Sequence, residues 1–140
     1  MAKQVVYNSP EVTRFVSEKI YGRDQFPEES PSIGVVENGE VAAGVVYSLF
    51  TGNGIMMNVA SDGSRRWLTK EFLRAAFAYP FKQLGCTRVS GLVRVDNPAA
   101  LQFDKHLGFR EEGVIRKGDD DGTDLVLLGM LKEECRWLNI

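Results

Sequence analysis

A chain of 140 residues that is 44% hydrophobic and 26% charged has the size and balance of one compact domain, residues 1–140, and leaves little room for a second core. A formal net charge of −2 with scattered lysines and arginines excludes a broad electrostatic grip on nucleic acid. No apolar run approaches the ~20 residues that cross a bilayer, and the opening stretch lacks the apolar centre of a signal peptide, so a soluble, cytoplasmic protein without a membrane partner is expected.

In chain order, Val5-Val6-Tyr7 reads as a short strand and the segment from Ser9 to Gly22 as a helix. Ser9 is its cap, Pro10 takes the first helical position, and Val12, Phe15, Val16 and Ile20 share one face. Residues 23–32 form a polar loop with two prolines. Two β-branched runs then flank Asn38-Gly39, a pair suited to the positive φ values of a tight hairpin turn. Gly54 to Ser61 reads as a third sheet strand. Ser64 to Gly85 reads as one long helix, with Leu68, Phe72, Ala75, Ala76 and Tyr79 on one side. Pro80 inside it removes an amide donor and crowds the carbonyl four residues back, which predicts a kinked or loosened last turn. Residues 87–95 form the next strand, and residues 109–117 and 123–131 a second hairpin around the acidic loop Gly118 to Gly122. The order predicts a mixed sheet covered by helices, with a parallel, right-handed strand-helix-strand unit across residues 55–95.

Between the last two sheet segments, Asp96-Asn97-Pro98 opens a helix: Asn97 can cap its exposed amides and Pro98 is preset for the first position. Ala100, Leu101, Phe103 and Leu107 supply its buried face, Gly108 ends it, and Phe109 returns to the core. The stretch from Asp96 to Gly113, "DNPAALQFDKHLGFREEG", resembles the carboxyl-terminal part of the GNAT acyltransferase superfamily. There a strand runs into Asn-x-x-Ala or Asn-x-x-Ser, a short helix, Leu-Gly-Phe and a strand start bearing Glu and Gly. The likeness is best from Val59 to Gly113 and implies the family's α/β fold, a mixed, centrally splayed sheet flanked by helices.

The resemblance also implies an activity: transfer of an acetyl group from acetyl-CoA, as co-substrate and without a metal, to an amine that attacks directly in a ternary complex. That chemistry needs a seat for the pyrophosphate, a donor for the developing oxyanion, and proton handling. By position the seat falls on the turn Ser64, Arg65, Arg66, Trp67, Leu68 and Thr69, where the family's Arg/Gln, Gly and Gly/Ala positions are taken by Ser64, Trp67 and Thr69. Backbone amides and the positive end of the next helix favour phosphate there, and Arg65 and Arg66 favour an anion, whereas Trp67 is placed to obstruct it. The oxyanion donor is expected among the amides of Asn58, Val59 and Ala60, with Asn58 also a candidate to line the site. Asn97 is the leading site residue, positioning the acetyl-CoA or capping the helix that does. Where many relatives carry a Tyr acid seven residues after the Asn, this chain has Asp104, which serves only if desolvation raises its pKa; the plainer expectation is a solvent-facing Asp. Glu37 and Asp62 are distant candidates for a base.

Other signals carry less. The acidic spacing of residues 118–124 does not fit a calcium loop, so a charged hairpin tip is expected. Cys86 and Cys135 form no Cys-x-x-Cys pair and share the chain with a single histidine, His106, which favours two reduced thiols and no metal site. Leu131, Cys135, Trp137 and Leu138 are expected to pack back on the core or to meet another subunit in a homodimer. The loop of residues 21–32 is, by the resemblance, where a small-molecule or protein amine is gripped. Around Val59 to Asp62 the chain also resembles tailed-phage accessory proteins that look like degenerate members of the superfamily. That implies a phage or prophage origin and supplies the rival expectation, a GNAT-fold binding or structural protein without turnover.

Overall fold

The computed structural model describes residues 3–139, so Met1, Ala2 and Ile140 of the expected domain lie outside it. Seven strands form one mixed sheet: β1 (Lys3–Tyr7), β2 (Ser32–Glu37), β3 (Glu40–Ser48), β4 (Gly54–Ser61), β5 (Arg88–Arg94), β6 (Arg110–Ile115) and β7 (Leu125–Leu131). Their spatial order is β1-β2-β3-β4-β5-β7-β6, so β7 lies between β5 and its own hairpin partner. Three helices cover the sheet: α1 (Pro10–Tyr21), α2 (Lys70–Ala78) and α3 (Pro98–Leu107).

On one face, α1 packs Val12 and Val16 against Val46 of β3. The helix comes this close because Gly34 and Gly44 sit opposite each other on β2 and β3; a Cβ on either would lie 2.5 Å from a Val12 methyl. The Ser9 hydroxyl caps α1 by accepting from the Val12 amide, and Gly22 ends it at φ +70°. Ile20, expected on the buried face, is exposed. Two steps of four residues rotate it about 80° from Val12, off the contact stripe. Asn38 and Gly39 take φ of 55° and 81°, the left-handed pair that joins β2 to β3 in a tight turn.

The other face carries the larger core, in which Val45, Tyr47, Met57, Val89, Leu128 and Met130 meet Phe72 and Phe77 of α2. Ala100, Leu101, Phe103 and Leu107 of α3 pack against its edge, and Phe109 returns to it as expected. The tail packs back too: the Trp137 indole donates to the Leu107 carbonyl at 2.8 Å, and Cys135 and Leu138 touch the core.

The long helix expected from Ser64 starts instead at Lys70. Residues 62–69 are tied into a compact turn, with Trp67 Nε1 donating to the Ser64 carbonyl at 2.6 Å and the Leu68 amide to the Arg65 carbonyl at 3.1 Å. Thr69 is the true cap, its Oγ1 accepting from the Phe72 amide at 3.1 Å. At the other end Pro80 turns the chain into a π-helical turn, Tyr79–Gln83, closed by the Leu84 amide on the Tyr79 carbonyl at 3.0 Å. Proline has no N–H to offer the Ala76 carbonyl, and the buried Tyr47 hydroxyl donates to that oxygen instead.

Candidate active site

β4 and β5 are parallel neighbours at their start only. Gly54, Ile55 and Met56 pair with Arg88, Val89 and Ser90, and no pairing follows. The outer edges stay bonded throughout, β4 to β3 as far as Ser61↔Ala43 and β5 to β7 as far as Arg94↔Leu125. The two strands therefore part at their carboxyl ends, leaving Val59 and Leu92 about two-fifths exposed.

The ladder with β3 decides which amides face the gap. The Asp62 amide donates to the Ala42 carbonyl at 2.8 Å, one step beyond the Ser61↔Ala43 pair. Antiparallel pairs alternate, so Ala60, Asn58 and Met56 also point their N–H and C=O groups at β3. Met57, Val59 and Ser61 point theirs the other way, toward β5: the Met57 amide still serves the last pair, Met56↔Ser90, while Val59 and Ser61 face the stretch where β5 has withdrawn. Of the three amides expected as oxyanion donors, Val59 is thus the one aimed into the gap; those of Asn58 and Ala60 are turned toward β3. The Asn58 carboxamide is committed as well, Nδ2 donating to the Val46 carbonyl and to Ser48 Oγ, both at 2.9 Å. Its side chain braces the sheet on the α1 side.

The turn before α2 lies at the open end of the gap. Asp62 Oδ1 accepts from the Ser64 amide at 2.9 Å, which holds the Asp62 carboxyl below its ordinary range. The amides of Arg65, Arg66, Trp67, Lys70 and Glu71 have no hydrogen-bond partner among the described residues. Trp67 does not stand over them: it is 5% exposed, sunk into the core, with edge-on ring contacts to Phe72 at 5.7 Å and to Phe103 of α3 at 5.8 Å. Arg65 lies over the same Phe103 ring at 5.0 Å, and Arg66 pairs with Glu37 at 3.3 Å. Leu68 is half-buried against the core, and the Thr69 hydroxyl is taken by the helix cap.

Asn97 caps α3, its Oδ1 accepting from the Ala100 amide at 3.2 Å. Asp104 is not the solvent-facing residue of the plainer expectation. Helical spacing sets it between Ala100 and Leu101, in the middle of the stripe packed on the core, and no side-chain partner meets its carboxyl among the described residues. Burial accordingly pushes the carboxyl up to about 7.

No protein-family model and no functionally curated protein matches the sequence. Solved structures do match. The Ard1 structure from Thermoplasma volcanium superposes with a TM-score of 0.71 at 17% identity, covering 94% of this chain and 98% of that one. A GNAT-family acetyltransferase from Streptococcus pneumoniae gives 0.70 at 17% identity over 93% and 99%. The dodecameric spermidine N-acetyltransferase of Vibrio cholerae gives 0.74 at 14% identity over 98% and 96%.

The chain has the GNAT acetyltransferase fold.

Within this GNAT fold the candidate residues fall into two groups. Val59 and the turn Ser64 to Thr69 lie at the open end of the β4–β5 gap, and Asp104 sits on α3 next to Phe103, which meets Trp67 of that turn, whereas Asn58 and Asn97 spend their side chains on sheet and helix ends. Phe103, which joins Trp67 and Arg65 to α3, was not singled out in sequence, where it reads only as one more apolar residue of an amphipathic helix. The gap-facing amide of Ser61 carries no side-chain signal at all.

Proposed function

We propose that the chain is an N-acyltransferase that moves an acetyl group from acetyl-CoA to an amine by direct attack in a ternary complex. The observation carrying this reading is the parting of β4 from β5 beyond the Met56↔Ser90 pair, which leaves the Val59 and Ser61 amides facing a groove. Acetyl-CoA supplies an activated acyl thioester there. The residues present fit it: the unpartnered amides of Arg65, Arg66, Trp67, Lys70 and Glu71 can hold a diphosphate at the amino end of α2, and Arg65 and Arg66 are exposed enough to turn toward it. The Val59 amide meets negative charge developing on the acyl oxygen. Asp104, part protonated at neutral pH, holds the proton that transfer requires at sulfur. Burial raises the pKa of both Cys86 and Cys135, so neither is a ready thiolate, which favours direct attack over a cysteine-bound acyl group.

One observation favours a second reading, a GNAT-fold binding protein without turnover. Trp67, Phe103 and Arg65 bridge from the α2 turn to α3 across the space beside the diphosphate seat. Calorimetric titration with acetyl-CoA, followed by thiol release in the presence of a panel of primary amines and polyamines, separates the two. Saturable binding with amine-dependent release of CoA is expected. Binding without release for any amine selects the second reading, and no binding at millimolar acetyl-CoA overturns the first.

A further inference from the structure

A pocket of about 450 Å³ opens at the carboxyl end of α2, the end away from the diphosphate seat. None of the residues assigned to acetyl-CoA lines it, and of the loop expected to grip the amine only its last two residues, Pro31 and Ser32, reach it. Ile33 and the fully buried Tyr47 form its floor, Ala75 and Ala78 one wall, and Tyr7 and Tyr79 the rings at its sides. The π-helical turn enforced by Pro80 sets Tyr79 and Gln83 four residues apart on the side lining the pocket, and such turns recur at functional sites. Asn8 also lines the pocket, in the left-handed conformation (φ 54°) that Asn adopts readily in turns. Ser32 completes the lining, and its buried hydroxyl has no hydrogen-bond partner among the described residues.

The chemistry of the lining selects the ligand. No Asp, Glu, Lys, Arg or His lines the pocket, so an ion entering it would lose hydration with no counter-charge to replace it. The aromatic surface is not a sandwich, since Tyr47 and Tyr79 already touch with ring centroids 4.8 Å apart; a flat molecule must lie against one exposed face instead. Two carboxamides, those of Asn8 and Gln83, are also in the lining. Asn8 Oδ1 accepts from the Ser32 amide, leaving its NH₂ to donate, and the Gln83 amide has neither donor nor acceptor engaged among the described residues. A carboxamide presents one donor beside one acceptor, the complement of a heterocycle edge bearing the same pair.

We propose that this pocket is a second binding site, independent of acyl transfer, for a neutral, flat heteroaromatic ring with a donor–acceptor edge, of the nucleobase type. The test is titration of the full-length protein with adenosine and with uridine, by calorimetry and saturation-transfer NMR, in the absence and presence of saturating CoA. At least one nucleoside is expected to bind saturably whether or not CoA is present. Gln83→Ala, at an exposed position, should raise its Kd about tenfold through loss of one hydrogen-bonding partner for the ring edge. Ala78→Phe, which fills the pocket from the helix side, should abolish binding, and both variants should keep wild-type affinity for CoA. The proposal is overturned if neither nucleoside binds at millimolar concentration, if CoA displaces the bound nucleoside, if Gln83→Ala leaves Kd unchanged, or if tetramethylammonium binds in preference to both.

Discussion

Asp104, the acid of the proposed reaction, sets that chemistry against the fold. Folding raises its pKa from 3.8 to about 7, so the native state holds its proton more tightly than the unfolded chain does. Its stabilising effect is complete below about pH 4 and is lost as pH climbs through 7; above that the buried charge is a fixed penalty. A shift near three units is worth at most ~4 kcal/mol, and partial exposure reduces it to about 1–3 kcal/mol. Asp104→Asn should therefore match wild type in denaturant midpoint at pH 4 and exceed it by that amount at pH 8. Turnover should move the opposite way. As the acid, Asp104 gives wild-type kcat a limb that falls above about pH 7, and in Asp104→Asn that limb should vanish with kcat down about 10²-fold. A variant that gains stability at pH 8 and keeps its kcat would leave Asp104 a buried acid and no more. The family resemblance pointed to this position, seven residues after Asn97, but not to its environment: Ala100 and Leu101 flank it on the helix face, and only the packing of α3 shows that this face is the covered one.

At the scale of elements, the end of α2 couples a local rule to a long-range contact. Proline at position 80 announced a missing donor, and the broken last turn was legible from that alone. That Tyr47, 29 residues before Ala76, supplies the replacement was not, because hairpin and helix meet only in the folded core. Tyr47→Phe leaves the Ala76 carbonyl buried without a donor and should cost about 1–3 kcal/mol. Pro80→Ala restores an amide one helical turn after Ala76. In that background Tyr47→Phe should cost under about 1 kcal/mol, a coupling that a double-mutant cycle by urea unfolding measures directly. Equal costs in both backgrounds would mean that the hydroxyl does not stand in for the missing amide. The start of α2 was misread for a related reason. Apolar spacing carries on smoothly through Trp67 and Leu68, and only the indole bond to the Ser64 carbonyl reveals a turn. Thr69→Ala should accordingly cost ~1 kcal/mol as a lost cap, whereas Ser64→Ala, outside the helix, should cost no cap energy.

Across the whole molecule, the order of strands and helices was readable from periodicity and turn residues, and the parallel β4–β5 pair followed from the helix between them. Two features were not readable from the residues themselves. The hairpin of β6 and β7 gave no sign of which strand would lie beside β5. The opening of the sheet, on which the proposed chemistry depends, was expected from the family resemblance alone, because it belongs to the backbone and any β-branched run could form β4 with or without it. The ladder phase turns that opening into a test. The Val59 amide points away from β3, so proline at 59 removes no bond from that ladder while deleting a donor aimed into the gap. The Ala60 amide points at Gly44, so proline there breaks the ladder without touching the groove. Val59→Pro should keep the native circular dichroism spectrum and acetyl-CoA binding while kcat falls 10²- to 10³-fold, the range for losing one oxyanion donor. Ala60→Pro should lower the unfolding free energy by about 1–3 kcal/mol through the lost bond. A folded Val59→Pro protein with wild-type kcat would show that the parted strands form a cleft whose main chain takes no part in catalysis.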